Sequence, residues 1–389
     1  MIESPGSAVQ LALEWLAAGT AAVAIAGLLT STVGPLVEAP SVGGDRGVST
    51  IPGALSRWTA HRRVGVAFVA AALGLWWWEM NASGRLQTSG MGAAPMMRSV
   101  AATRVAAHLV LMALLAAASW IDLRHRVIPD AVTVPGALAG LLWTAADPWV
   151  LLPVPLEIPR SFATPLVGSD VLGPFGGLAA TPFPTWLGSQ PHWIGLVVAV
   201  AVFLAWWASC TAPGGVRVAG IDARILVAVG GSLWILTAWA RGGWWWGGLI
   251  TSLAGMTVAG GLVWLTRIGA SWALGREALG FGDVTLMAMA GAWLGWQACL
   301  LACFLAIFVG LGHGLVQLFL HRDHELPFGP SLCVGIAVVV VAWRGLWDRC
   351  GDALSRPGEL AVVAGVVIGL TALTLAVWRH LRPNRFSSR

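Results

Sequence analysis

The chain has no tyrosine, no lysine, only 11% charged residues among its 389, and five cysteines. Each shortage closes off a class of protein. A soluble domain carries about 25% charge, so this scarcity excludes an ordinary soluble protein. The 57% hydrophobic content and mean hydropathy of +0.77 place the chain among membrane proteins instead. Cys210, Cys299, Cys303, Cys333 and Cys350 form no C-x-x-C pair and no disulfide-framework spacing. Most lie in apolar runs, where cysteine acts as a small hydrophobe, so they are expected to be inert. No H-E-x-x-H motif occurs, and His321-Arg322-Asp323-His324 does not supply one, so neither metal nor cofactor is expected. With lysine missing, all 23 basic residues are arginine, and the net charge of +5 reports membrane topology rather than a nucleic-acid partner.

What the chain does have is tryptophan, 24 of them, clustered at Trp76–Trp78 and Trp244–Trp246, with the expected role of interfacial anchors. Crossing the hydrocarbon core takes about 20 mostly apolar residues. That rule predicts an all-α, polytopic transmembrane bundle of about eleven spans. They fall near 8–31, 64–81, 100–121, 128–146, 193–209, 225–240, 244–265, 283–297, 299–320, 329–347 and 360–378. The first run follows Met1-Ile2-Glu3-Ser4-Pro5, which lacks a basic n-region, and so reads as a retained span. Arginine concentrates after spans one, three, five, seven, nine and eleven, which predicts the N-terminus outside and the C-terminus in the cytoplasm. Between Asp147 and His192 the chain is rich in Pro, Gly and Thr and reads as an irregular outer loop.

Two aspartates stand out against this background. Asp122 ends the third span in Trp120-Ile121-Asp122, and Asp283 opens the eighth in Gly280-Phe281-Gly282-Asp283. The arginine pattern puts both at one depth on the cytoplasmic side. Asp283 is either a helix cap or half of a catalytic pair, while an acid at a helix C-terminus, as at Asp122, opposes the macrodipole. Asp130, after Pro129, reads as a cap of the fourth span, and Asp222 as a cap or a partner of Arg224. His313 lies inside the ninth span, where an ionisable group is a functional candidate, while its neighbours Gly310, Gly312 and Gly314 favour a packed neutral imidazole. Asp283, Met287, Gly291 and Gly295 share one helical face, and Gly291 and Gly295 form a seam that admits a close neighbour.

At these residues the chain resembles the type IV prepilin peptidases, a family of G-x-G-D intramembrane aspartic proteases. The likeness is carried by Trp120-Ile121-Asp122 with Arg126-Val127-Ile128-Pro129-Asp130, by Gly275 through Asp283 continuing to Trp296, and by Leu326-Pro327-Phe328-Gly329-Pro330. A lone G-x-G-D says little, but the three in this order are specific. The resemblance implies a catalytic pair, Asp122 and Asp283, with Gly280, Gly282, Pro327, Phe328, Gly329 and Pro330 shaping the substrate site. It implies a prepilin or pseudopilin precursor as partner, with a basic leader and an apolar helix, beside membrane lipid. It also implies a multi-pass protein of the bacterial inner membrane.

The chain departs from that family in three places. Residues 38–63 hold no Cys, unlike the cysteine-rich loop of bifunctional members, so N-methyltransferase activity is not expected. Thr285 stands where members often carry Lys. The interval between the aspartates is longer than in the family. The expected division is therefore 1–99 as N-terminal spans, 100–146 as the first peptidase part, 147–243 as the outer loop plus two inserted spans, 244–347 as the second peptidase part, and 348–389 as a last span with a basic tail. Two other readings of the same features are a catalytically idle scaffold of a pilus or secretion assembly, and a transporter with paired acids. A transporter usually holds its acids near the midplane and shows internal repeats.

Overall fold

The computed structural model describes residue 74 and residues 95–152, 192–211, 217–218, 221–320, 328–354 and 357–381. These contain the helices α1 (Pro95–His125), α2 (Asp130–Ala146), α3 (Trp193–Cys210), α4 (Ala223–Arg241) and α5 (Gly243–Leu274). After them come α6 (Phe281–Leu294), α7 (Trp296–Leu320), α8 (Gly329–Leu354) and α9 (Pro357–Leu381). A 3₁₀ turn covers Pro148–Val150, and a two-residue antiparallel pair joins β1 (Arg217–Val218) to β2 (Ile221–Asp222) just before α4. All nine helices fall on apolar runs expected from the sequence. The run near 8–31, the run near 64–81 apart from residue 74, residues 153–191 of the outer loop, and 321–327 lie outside the described residues, as does the side chain of His313. Among the described residues, three helices are long and apolar enough to cross a membrane: Thr103–His125, Trp193–Cys210 and Trp245–Leu274.

Local chemistry sets the helix ends. Asp222 caps α4, its carboxylate accepting from the Arg224 N–H at 3.0 Å while it also pairs with the Arg224 guanidinium. Both roles anticipated for Asp222 are therefore filled at once. Gly275 closes α5 in the left-handed conformation (φ 69°), its N–H reaching the Ser271 carbonyl at 2.9 Å. Arg126 ends α1 with φ 55°, and its N–H bonds back to the Asp122 carbonyl at 2.8 Å.

The bundle is built around α6. From Asp283 to Leu294 every residue of this short helix is buried. A helix that is apolar all round must be enclosed by protein or lipid on every side. Here α5 and α2 pack most extensively against it, and α7, α8 and α1 also touch it. The two buried clusters of the bundle both draw residues from α6. The seam expected at Gly291 is used by α5: a Cβ at Gly291 would run into the Gly255 carbonyl, and one at Gly255 into the Gly291 carbonyl. Polar bonds fix the position of α6 along its axis. Ser252 donates to the Ala292 carbonyl at 2.6 Å, the Trp293 indole to the Gly136 carbonyl at 2.8 Å, and Thr133 to the Thr285 hydroxyl at 3.0 Å.

Tryptophan departs in part from the anchoring role expected of it. Trp193, Trp264 and Trp272 are exposed, but Trp246, Trp293 and Trp343 are wholly buried. The last three are core packing; Trp293, for example, lies over Gly140, where only a missing side chain leaves room for the ring.

Candidate active site

Asp122 ends up beside Asp283 because α1 finishes and α6 begins at the same end of the bundle. Asp122 lies in the last turn of α1 and Asp283 in the first turn of α6, 5% and 8% exposed. Both line one cavity of about 490 Å³, close enough for the charge on Asp122 to act on Asp283. Each carboxylate is held by a backbone N–H. Gly329, the first residue of α8, donates to Asp122, and Gly280 donates to Asp283. The amide at the start of a helix is an orphan donor carrying positive dipole, so the α8 terminus suits an acid there.

Glycines let the walls close in. A Cβ on Gly329 would strike the Asp122 carboxylate and Ile128, and one on Gly282 would meet the Ile128 carbonyl at 3.0 Å. Ile128 is thus the wedge between the Gly-Phe-Gly loop and the start of α8. Of the residues singled out from sequence, Asp122, Asp283, Gly280, Gly282 and Phe328 line the cavity, and Gly329 touches Asp122. Pro330 is buried in the first turn of α8, and Pro327 lies outside the described residues.

Asp130 is corrected by the structure. The N-cap of α2 is the extended Pro129 (φ −78°, ψ 135°), with no side-chain cap bond. Asp130 is one residue too far along to cap; it lines the cavity with the other two acids and bonds to the Thr285 hydroxyl. Thr285, at the position where Lys is frequent, is therefore the centre of a hydrogen-bond network joining Asp130, Thr133 and the Gly282 carbonyl.

Sequence reasoning counted Arg267 only as a topology marker. Its Nε donates to the Leu279 carbonyl at 3.0 Å, its guanidinium pairs with Glu277, and it lies 5.8 Å from the Phe281 ring centre. Arg267 thereby pins the loop that forms one cavity wall. The short spacing from Arg267 to the Gly-Phe-Gly loop was the available signal, since an arginine two turns before a helix end is long enough to fold over the adjoining loop.

The model of the type IV leader peptidase family matches residues 109–169 and 202–315, which include both aspartates. Over these residues the chain is similar to the type IV leader peptidase family. Relatives named prepilin leader peptidase/N-methyltransferase include one from Aeromonas hydrophila, 33% identical over 111 residues, covering 28% of this chain and 34% of that protein. Another, from Dickeya chrysanthemi, is 40% identical over 119 residues, covering 27% of this chain and 42% of its own length. A third, from Escherichia coli strain K12, is 37% identical over 91 residues, covering 22% and 40%. The matched stretch thus spans well under half the length of these curated relatives. No solved structure matches the chain.

Proposed function

We propose that this chain is a membrane-embedded aspartic endopeptidase. It removes the basic leader of type IV prepilin or type II secretion pseudopilin precursors at the cytoplasmic face of the bacterial inner membrane. The observation that carries this reading is the pair of buried carboxylates, remote in sequence, lining one cavity. The family match supports the substrate class, and the arginine distribution supports a cytoplasmic location for that end of the bundle.

Two neighbouring carboxylates cannot both ionise cheaply, so the pair holds a single proton and titrates as a unit. The ionised member removes a proton from water as the water oxygen attacks the scissile carbonyl carbon. The protonated member donates to the carbonyl oxygen. Collapse of the tetrahedral intermediate breaks the C–N bond, and the dyad returns a proton to the departing amine. The Gly280 and Gly329 amides keep both carboxylates aimed into the cavity throughout.

Purified protein mixed with a prepilin-type precursor tests this directly, with the product read by mass spectrometry. One cut immediately before the apolar helix is expected; an intact precursor would end the reading and leave the scaffold alternative. Given S-adenosylmethionine in the same reaction, the new N-terminus is expected to stay unmethylated, because residues 38–63 contain no Cys. A methylated product would show that the second activity needs no such loop.

Gly329→Ala probes positioning. The nearest atoms that the added methyl meets belong to two side chains, Asp122 and Ile128, which can shift, so the fold tolerates it. Alanine also suits a first helical turn. The carboxylate must swing off the Gly329 amide, and kcat is expected to fall by about ten- to a hundredfold with an unchanged melting temperature. Wild-type kcat in this variant would show that the contact does not aim Asp122.

A further inference from the structure

A second cavity, about 340 Å³, lies against the first. One side is α3, with Ala205, Ser209 and Cys210; the floor is α5 and α6, with Gly261, Phe281 and Ala288. Two features join it to the catalytic cavity. Phe281 forms part of both, and Thr285, which lines the groove, donates to the carbonyl of Gly282 in the wall of the catalytic cavity. The groove then runs along α6 away from Asp283, through Val284 and Thr285 to Ala288, a distance of roughly 7 Å at helical rise.

Its surface chemistry differs from that of the catalytic cavity. Apart from Ser209, Cys210, Thr257 and Thr285 its lining is apolar or glycine, and no acid or base is among the lining residues. Ala205 and Ser209 lie one turn apart on α3, the small-residue spacing that lets a helix approach closely. Gly261 faces open space, with nothing within 4 Å of where its Cβ would stand. Trp264, half exposed, stands at the rim.

We infer that this groove, between α3 and the α5–α6 pair, seats the first turns of the substrate's apolar helix while the peptide bond preceding that helix lies between Asp122 and Asp283. The inference rests on the peptidase reading above. If the bond before the helix reaches the dyad, the helix must leave the cavity within a few ångströms. In the bilayer the alternative is lipid, which is as apolar as the groove, so what favours the groove is the close helix packing that its small residues allow. The groove is the apolar path that starts at the wall of the catalytic cavity, and its small residues accept one face of a helix. On this view α3, which belongs to the long interval between the aspartates, contributes to substrate choice.

The test compares two substrates in lipid nanodiscs, a full-length precursor and the same leader truncated shortly after the cleavage site. Gly261→Phe adds a ring to the lining of the groove at a position where a Cβ meets open space. The ratio of kcat/KM for the full-length over the truncated substrate is expected to fall about tenfold relative to wild type, through a higher KM. An unchanged ratio overturns the groove while leaving the peptidase reading intact. If wild type cuts neither substrate, both fall. Independently of folding in that variant, a photoreactive phenylalanine analogue at position 205, in Asp283→Asn protein, should cross-link to the precursor's helix. Cross-linking to lipid alone, with precursor present, overturns the proposal.

Discussion

Asp122→Asn and Asp283→Asn should each lower the rate of leader removal by about a thousandfold or more, and the double variant should be no slower than either. Asparagine keeps the shape of aspartate and still accepts the Gly329 or Gly280 N–H, so the geometry of the cavity survives. What disappears is the proton-exchanging group, and a dyad with one working member has no function to lose twice. Stability should move the opposite way. Both carboxylates are buried, and burying like charges side by side is costly. Each variant is therefore expected to melt at or above the wild-type temperature in detergent. Cleavage near the wild-type rate by either variant would remove that aspartate from the mechanism. Loss of cleavage together with a marked fall in melting temperature would instead assign the residue to the fold.

Much of this architecture could be read from hydropathy, because lipid and core both demand long apolar helices. Boundaries were less legible where the break is conformational rather than compositional. The run expected over 283–297 ends at Leu294, because Gly295 turns the chain at φ 82° while hydropathy continues into Trp296. The run expected over 244–265 continues to Leu274, since Arg267 does not end the helix but folds over the loop beyond it. The acids at the two helix ends were legible because a carboxylate is conspicuous in an apolar chain. Asp130 was equally visible but misassigned, since a one-residue shift separates a cap from a cavity wall and only the extended Pro129 settles which residue caps. The partner of the Gly291 seam was not legible at all, since nothing in sequence singles out Gly255 from its neighbours at 247, 248, 260 and 261.

That Gly255–Gly291 crossing carries the other large effect. A Cβ at position 291 points at the Gly255 carbonyl and the adjacent Met256 nitrogen, which are backbone atoms with no rotamer to yield. Gly291→Val must therefore separate α5 from α6. Yet α6 is pinned on both flanks, by Ser252 to Ala292 and by Trp293 to Gly136, so separation breaks these bonds or drags Asp283 from its place. Overpacking of this kind costs about 3 kcal/mol or more when no side chain can move aside. The expected outcome is a lower melting temperature and no leader removal, with Gly255→Val behaving alike. Gly365→Ala, on α9 where nothing lies within 4 Å, is the matched control and should be neutral or slightly stabilising. If Gly291→Val melted like wild type, the close crossing of α5 and α6 would be wrong. The placement of Asp283, which depends on it, would then need another support.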